Sequence, residues 1–171
     1  AQMLAKQNII SKGEGLKIIN GLKRIYKEIE KGKFNFKTEL EDIHMNVESR
    51  LKEIIGDTAG KLHTARSRND QVSTDLRLWV RNAISILDKE LKELQKRLIV
   101  LAESNTSTIM PGFTHLKNAQ PVSFAHYILA YVEMFSRDKR RLKNNFTNLK
   151  ENPLGSGALS GTSFNIDRNY T

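Results

Sequence analysis

The chain has 171 residues, a formal net charge of +9 and no cysteine, with 39% hydrophobic and 27% charged residues. This composition predicts a folded globular protein of one domain or parts of two, and it excludes disulfide frameworks, thiolate metal sites and cysteine nucleophiles. No run of about 18 apolar residues occurs, so we expect no membrane span. The chain has no cysteine, and its N-terminus lacks the apolar core of a signal peptide. Both features favour a cytoplasmic location.

The positive charge has three interpretations. It is compatible with nucleic-acid binding, with steering of an anionic small substrate, or with a lysine-rich solvated surface. The lysines are scattered at helical spacing and accompany glutamates, which is typical of solvated helix faces. We therefore expect no nucleic-acid partner.

Two amphipathic helices are predicted in the first third of the chain. An apolar residue recurs every three or four positions up to a capping glycine, Gly32, and the inward positions are Leu16, Ile19, Leu22, Tyr26 and Ile29. A second helix is predicted from Thr38, where Thr38 and Glu41 match a capping box, to Gly56. Its expected inward residues are Leu40, Ile43, Val47, Leu51 and Ile54.

The third predicted helix is the longest. Its apolar stripe runs over roughly thirty residues, which corresponds to about 45 Å, through Val72, Leu76, Trp79, Ala83, Leu87, Leu91, Leu94, Leu98 and Leu101. A helix of this length in a globular protein is typical of a helical bundle. The segment "ESNTSTIMPGFTH" ends it.

A fourth helix is predicted from Pro121, a favoured first helical position, to the neighbourhood of Asn152. Its inward residues are Val122, Ala125, Leu129, Val132, Phe135, Leu142, Phe146 and Leu149. The following "LGSGALSGTSFNIDRNYT" is predicted to be a loop, and because "GSGALSG" follows no strand it is not a dinucleotide fingerprint. No segment shows strand alternation.

The predicted fold class is therefore all-α. Residues 1–66 are assigned to part of a small N-terminal helical domain, and residues 67–171 to the first long helices of a central bundle domain. Two long helices cannot bury both of their faces, so further chain or oligomerisation must supply the missing partners. Together with the absence of an initial methionine, this predicts a partial or processed chain.

Three polar stretches lie at helix boundaries: "EDIHMNVE" (41–48), "ARSRNDQ" (65–71) and "GFTHLKNAQP" (112–121). The second precedes the long helix and the third follows it, about 45 Å away along the helix. The two stretches could share a site only if different subunits of an antiparallel assembly supplied them. The spacing therefore favours a composite site.

The residue types in these stretches suit carboxylate binding. Arg66 and Arg68 can each hold a carboxylate through two parallel hydrogen bonds, and Ser67, Asn69 and Thr114 are neutral donors. An ordinary helix cap is the competing interpretation of "SRND", since Asn69 could cap the helix and Ser67 and Asp70 form a Ser-x-x-Asp pattern. Both interpretations remain open on spacing alone.

Four histidines are candidates for proton transfer or metal binding. His115 follows a glycine-containing loop and precedes a predicted helix, and its ordinary pKa suits proton transfer near neutrality. A purely structural role is equally compatible with its position. His44 and Glu48 lie one helical turn apart, but two ligands are too few for a metal, so a structural contact is favoured. His63 and His126 have no partner pattern, and no metal is expected.

Three segments resemble the argininosuccinate lyases of the fumarase/aspartase superfamily. They are "DIHMNVESRLKEIIGDTAGKLHTARSRNDQVSTDLRLWVR" (42–81), "TIMPGFTHLKNAQPVSFAHYILAYVEMFSRDKRRL" (108–142) and "NPLGSGALSGTSFNIDR" (152–168). "SRNDQV" is the most discriminating motif. The three motifs agree in order and spacing across almost the whole of residues 38–170.

The resemblance implies a fold and a reaction. The fold is nearly all helical, with a central bundle of long helices. It forms homotetramers in which each active site contains residues of three subunits. The reaction is the reversible, cofactor-free cleavage of argininosuccinate to arginine and fumarate, a step of arginine biosynthesis. A base removes a proton next to a carboxylate, and an acid protonates the departing guanidino nitrogen.

The resemblance also implies residue roles. His115 takes part in the acid–base chemistry, as or with the general acid. Thr114, Arg68 and Asn69 match positions that bind the substrate carboxylates, and Asp42 matches one near the amino-acid end of the substrate. Ser67 and Gln120 are weaker candidates.

This sequence departs from the family pattern at two positions. Ala65 stands where the family commonly has glycine, and Lys117 stands where glutamine is usual. The family's flexible loop, which carries the serine that acts as base, would lie beyond residue 171. We therefore expect the 171-residue chain by itself to be inactive.

Three alternatives are kept. The first is another fumarate-releasing lyase of the superfamily, similar to adenylosuccinate lyase. The second is a non-catalytic structural homologue. The third is a basic nucleic-acid binder, which would show strong, salt-dependent retention on DNA.

Overall fold

The computed structural model describes all of residues 1–171. The α-helices are Gln2–Lys6 (α1), Lys12–Glu30 (α2), Ile43–Ile55 (α3), Arg68–Glu103 (α4) and Phe124–Asn148 (α5). Short 3-10 turns span Thr38–Leu40 and Gly56–His63, and strands Ile109–Thr114 (β1) and Lys117–Ser123 (β2) form an antiparallel hairpin. The all-α prediction is confirmed, with this hairpin as an addition. None of the helices has the length and apolar character needed to cross a membrane.

The chain divides into two compact units. Unit 1 combines residues 1–74 with residues 153–171, and unit 2 contains residues 75–152. Each unit has its own apolar core. The core of unit 1 is formed by Leu4, Ile10, Ile18, Ile25, Leu51 and Ala59, and that of unit 2 by Ala102, Ala125 and Ile128.

Helix α2 buries a face that its apolar period predicts only in part, with Leu22 and Ile29 packed against the core as predicted. Ile18 and Ile25 are fully buried, whereas Leu16 and Tyr26 are about three-fifths exposed. The reason is Gly21, which lies between the two buried isoleucines. A Cβ atom at this position would lie 2.5 Å from Cδ1 of Leu51, so the glycine lets α2 and α3 approach closely on this side.

Helix α3 begins five residues later than predicted. The segment Thr38–Leu40 forms a 3-10 turn, and Glu41 then adopts a positive φ of 59°, which is incompatible with the predicted Thr38–Glu41 capping box. Asp42 is the actual N-cap, because its carboxylate accepts a 2.7 Å hydrogen bond from the backbone N–H of Met45. Gly56 ends α3 as predicted.

In unit 2, α4 and α5 are antiparallel neighbours. The side chain of Gln95 donates to the Val132 carbonyl at 2.9 Å and to the Ser136 hydroxyl at 2.8 Å. Near the other end of α5, Arg81 donates to the Leu149 carbonyl and stacks on the Phe146 ring. The two helices are therefore joined by polar contacts as well as by their small core.

Much of the predicted stripe of α4 is not covered within this chain. The side of α4 that contacts α5 contains Ile84, Gln95, Leu98 and Ala102. Other stripe residues are 40–68% exposed: Val72, Leu76, Trp79, Leu87, Leu94 and Leu101. The helix has two apolar faces, and the chain buries one.

The prediction of a helix from Pro121 is wrong. Pro121 and Val122 belong to β2, where they lie opposite Pro111 and Met110 of β1. Helix α5 begins at Phe124, after Ser123 has accepted a hydrogen bond from the backbone N–H of His126 at 3.1 Å. It ends at Asn148, a few residues before the predicted boundary.

Candidate active site

The motif "SRND" forms the start of α4 in unit 1. The Ser67 hydroxyl accepts a hydrogen bond from the backbone N–H of Asn69 at 3.2 Å, and the Ser67 N–H donates to the Asp70 carboxylate at 3.0 Å. The predicted pairing of Ser67 with Asp70 is therefore confirmed. The Asn69 side chain caps nothing: it is exposed and makes no hydrogen bond, so its amide is available to a ligand.

Asp70 also holds the glycine-rich segment in place. Its second carboxylate oxygen accepts hydrogen bonds from the N–H groups of Gly155 at 3.1 Å and Gly157 at 2.8 Å. Burial would raise the pKa of Asp70, but the N–H groups of Gly157, Ser67 and Gly155 outweigh it and hold the pKa below the ordinary value. The ionised carboxylate thus joins two parts of unit 1 that are more than eighty residues apart in sequence.

Glu48, on α3, is the centre of a cluster of cationic side chains. Its carboxylate accepts two hydrogen bonds from Arg68, at 3.2 and 3.1 Å, and one from Arg66 at 3.3 Å. Nδ1 of His63 lies 3.3 Å from the same carboxylate. We refer to Glu48, His63, Arg66 and Arg68 as the arginine cluster.

The arginine cluster is half-buried, with side-chain exposures of 27% for Glu48 and 29% for Arg68. Burial acts to raise the pKa of Glu48, but the hydrogen bonds from Arg68 and His63 outweigh it, so the pKa lies below its ordinary value. Glu48 is therefore an anion at neutral pH. It offsets the repulsion between two arginines that are only two residues apart.

Asp42 lies beside this cluster. One of its carboxylate oxygens caps α3, and the other lies 3.4 Å from Nδ1 of His44 and 3.9 Å from Nε of Arg68. The hydrogen bond from the Met45 N–H, with smaller contributions from His44 and Arg68, lowers the pKa of Asp42. Asp42, Ser67, Arg68 and Asn69 are thus all neighbours in unit 1.

The other predicted site residues belong to the hairpin of unit 2. Thr114 ends β1 opposite Lys117, and His115 and Leu116 form the two-residue turn, with φ angles of 49° and 63°. The sequence context predicts that His115 precedes a helix. This prediction is wrong, because the residue that follows the turn belongs to strand β2. Its imidazole is exposed and makes no hydrogen bond within the chain. The Gln120 side chain is likewise exposed on β2.

The shape of the hairpin depends on Gly112. The register of the two strands shifts between Pro111 and Phe113, and a Cβ atom at residue 112 would lie 2.7 Å from the Gln120 carbonyl oxygen. Only glycine allows this close approach of the strands. The shift in turn fixes which residues reach the tip, Thr114 and His115.

The backbone conformation of Ala65 explains why glycine is common at this position in the family pattern. Ala65 has a φ of +61°, in the left-handed region that glycine adopts without a steric penalty. The residue lies directly before Arg66, so the backbone that carries both arginines starts from a strained alanine. The glycine that the family pattern has here would adopt the same conformation more easily.

Two functional features were missed from the sequence. Helical spacing pairs Glu48 with His44 alone and gives His63 no partner. Their contacts span 15 to 20 residues, and helical spacing cannot reveal contacts between separate elements. Throughout the chain, no group of three or more His, Cys, Asp or Glu side chains could hold a metal ion.

The mostly helical fold and the comparisons with known proteins define the class of this protein as a helical lyase. The chain belongs to the lyase family, whose model matches residues 1–171. The resemblance to argininosuccinate lyases is confirmed by curated relatives. The argininosuccinate lyase of Pelagibacter ubique is 58% identical over 170 residues, and that of Bartonella bacilliformis is 55% identical over 171 residues.

The chain spans only part of these relatives. The matches cover 99–100% of this chain but 37% of each of the two relatives. Among solved structures, an EDDS lyase in complex with formate matches 98% of this chain and 32% of its own, with a TM-score of 0.83 and 27% identity. A fumarate lyase:delta crystallin from Brucella melitensis matches with a TM-score of 0.79 at 18% identity, which supports the fold alone.

Proposed function

We propose that the intact protein is an argininosuccinate lyase, which cleaves argininosuccinate to arginine and fumarate as a step of arginine biosynthesis. The observation that carries the proposal is the identity of 55–58% to argininosuccinate lyases over essentially the whole chain. The arginine cluster agrees with it, since the substrate is rich in carboxylates. No cofactor is required by this reaction.

The steps of this elimination reaction suggest a role for each of the proposed site residues. Removal of a proton from the carbon next to a carboxylate creates a dianionic intermediate, which needs cations and hydrogen-bond donors around it. Arg68, Asn69 and Thr114 are proposed to bind the substrate carboxylates, with Ser67 and Gln120 as supporting donors. Asp42 is proposed to face the amino group at the arginine end.

His115 is proposed to assist protonation of the guanidino nitrogen when the carbon–nitrogen bond breaks. Its exposed imidazole is free to meet a substrate, and an imidazole exchanges protons readily near neutral pH.

The proposed assembly is a cytoplasmic homotetramer with sites shared between subunits. Helix α4 has 36 residues and extends about 54 Å. Its first residues carry the carboxylate-binding groups, and the hairpin follows its last turn. The exposed apolar residues of α4 supply a surface on which other subunits can pack.

A second candidate is another lyase that releases fumarate. The EDDS lyase match is the observation that favours it, because that protein shares the fold at 27% identity. An activity like that of adenylosuccinate lyase belongs to the same class.

The test is a comparison of substrates with the intact protein. Fumarate release is followed by ultraviolet absorbance with argininosuccinate, adenylosuccinate and EDDS. We expect kcat/KM for argininosuccinate to exceed the others by a factor of at least about 10². A preference for either other substrate would replace the first proposal with the second, and no release from any substrate would support a non-catalytic homologue.

A further inference from the structure

We propose that Glu48 is a positioning residue of the carboxylate site, which holds one end of the Arg68 guanidinium and leaves the Nε edge for a substrate carboxylate. The inference rests on the proposed function, because it takes Arg68 as a carboxylate-binding group. Glu48 acts through Arg68 and is not itself placed against the substrate.

A guanidinium group has five N–H donors. In Arg68, Nη1 donates to Glu48 at 3.2 Å and to Gln71 at 2.8 Å, and Nη2 donates to Glu48 at 3.1 Å. Three donors are therefore used. The two that remain are the Nε hydrogen and the second hydrogen of Nη2, which point in parallel along one edge.

That edge has the geometry for a second carboxylate. Two parallel N–H groups match the two oxygens of a carboxylate, as they do in bidentate arginine–carboxylate pairs. Nε of Arg68 forms an ion pair with Asp42 at 3.9 Å, a distance too long for a hydrogen bond, so its hydrogen is still free to be donated. Glu48 and Gln71 thus use the three donors at the other end of the guanidinium, and the Nε edge stays available.

Glu48 also fixes where the edge points. It reaches the cluster from α3, whereas Arg68 starts α4. One of its oxygens faces Arg68, Arg66 and His63 together, at 3.2 to 3.3 Å. Without this anion, two guanidinium groups would repel each other in a half-buried place, where the repulsion is stronger than in water.

The experiment compares two glutamates of α3 in the intact protein. Glu48→Gln keeps the shape of the side chain but removes its charge and one acceptor. The matched control is Glu53→Gln, which removes an ion pair with Arg50 at 2.7 Å on the same helix. Calorimetry measures the Kd of fumarate, and steady-state assays measure kcat and KM.

We expect Glu48→Gln to weaken fumarate binding and raise KM by about tenfold, because hydrogen bonds to charged groups contribute on this scale. The Glu53→Gln variant should stay within about twofold of the wild type. Equal effects in the two variants would overturn the proposal, since they would indicate a general loss of stability.

A double-mutant cycle with Arg68→Lys separates positioning from a structural role. If Glu48 acts through Arg68, adding Glu48→Gln to Arg68→Lys should weaken fumarate binding less than about twofold further. Additive effects would overturn the proposal. If Glu48→Gln does not fold, Glu48→Asp takes its place, and it should bind fumarate more weakly than the wild type because it is one methylene shorter. Wild-type affinity in Glu48→Asp would contradict the inference.

The fumarate-binding measurements test the role of Glu48 separately from the proposed lyase activity. A wild-type protein that binds fumarate but does not cleave argininosuccinate refutes that activity, while the fumarate cycle still decides the role of Glu48. A wild-type protein that does not bind fumarate overturns both.

Discussion

His115 combines an exposed imidazole with a backbone conformation that favours glycine or asparagine. Both it and Leu116 have positive φ angles in the hairpin turn, and Leu116 is 98% exposed. Neither side chain gains burial that would offset the backbone strain. The turn therefore displays these side chains outward, which is compatible with the proton-transfer role proposed for His115.

The first residue-scale prediction concerns this imidazole. Replacement of His115 by asparagine in the intact protein should lower kcat by a factor on the order of 10²–10⁴, because asparagine cannot exchange a proton. The rate of fumarate release measures the change. His126→Asn is the matched control, since His126 is an exposed histidine at the start of α5, and it should leave the rate unchanged. A loss below about threefold in His115→Asn would assign the imidazole a structural role.

A second residue-scale prediction concerns Ala65. Ala65→Gly should raise the free energy of unfolding by up to about 1 kcal/mol, because glycine has no Cβ atom to clash with the backbone in the left-handed conformation. The same substitution at Ala83, inside α4, should lower it by about 1 kcal/mol. Urea denaturation measures both. A similar loss at both positions would show that Ala65 is not strained.

At the level of single residues, a contact between neighbours in the sequence was easier to predict than a contact between separate elements. The Ser67–Asp70 pair follows from local spacing alone, so it could be predicted. The arginine cluster could not, because the orientation of α3 relative to the start of α4 depends on tertiary packing. The family pattern marked Ala65 as unusual, but only its φ angle gives the physical reason.

Among the elements, α4 depends on a carboxylate at its first turn. Asp70 is 4% exposed and accepts three backbone hydrogen bonds, from Ser67, Gly155 and Gly157. An asparagine there would present an N–H₂ group to one or two of these donors. We expect Asp70→Asn to lower the free energy of unfolding by about 2–3 kcal/mol, measured by urea denaturation. Asp57→Asn, at an exposed position, is the control and should change it by less than about 0.5 kcal/mol.

This loss should depend on pH. The pKa of Asp70 is lower in the folded protein than its ordinary value of 3.8, so the ionised carboxylate contributes stability above the unfolded pKa. That stability disappears as the pH falls through the folded pKa. The difference between wild type and Asp70→Asn should thus be constant above about pH 5 and shrink below about pH 4. A difference that stays unchanged at low pH would contradict the role of the charge.

The hairpin is the element that the sequence did not predict. Its turn residues, His115 and Leu116, are not the Asn-Gly or Asp-Gly pairs that mark such turns. Each strand contains a proline, Pro111 or Pro121, and prolines argue against strands. The two prolines lie opposite each other, so they are tolerated together in a two-stranded ribbon. Long, regular helices such as α4 were predictable because their apolar period is sustained.

At the scale of the whole molecule, the exposed apolar residues of α4 predict an assembly. Trp79 is 68% exposed and Leu76 is 59% exposed, although apolar period alone would place both inside. Trp79→Glu in the intact protein should shift the sedimentation coefficient toward a smaller species, because it places a charge in an apolar interface. Asn82→Glu, on an exposed polar position of α4, should not. An unchanged assembly in Trp79→Glu would place that face in solvent.

The attachment of Gly155 and Gly157 to Asp70 also has a consequence for biosynthesis. Unit 1 is built from two stretches of chain, with all of unit 2 between them. A ribosome must therefore add 87 residues after Asp70 before the second glycine amide exists to reach it. Closing so long a loop is slow. Until then the carboxylate at the head of α4 lacks two of its donors, so the first seventy residues emerge unfinished and acquire their last hydrogen bonds only after α5 has been translated.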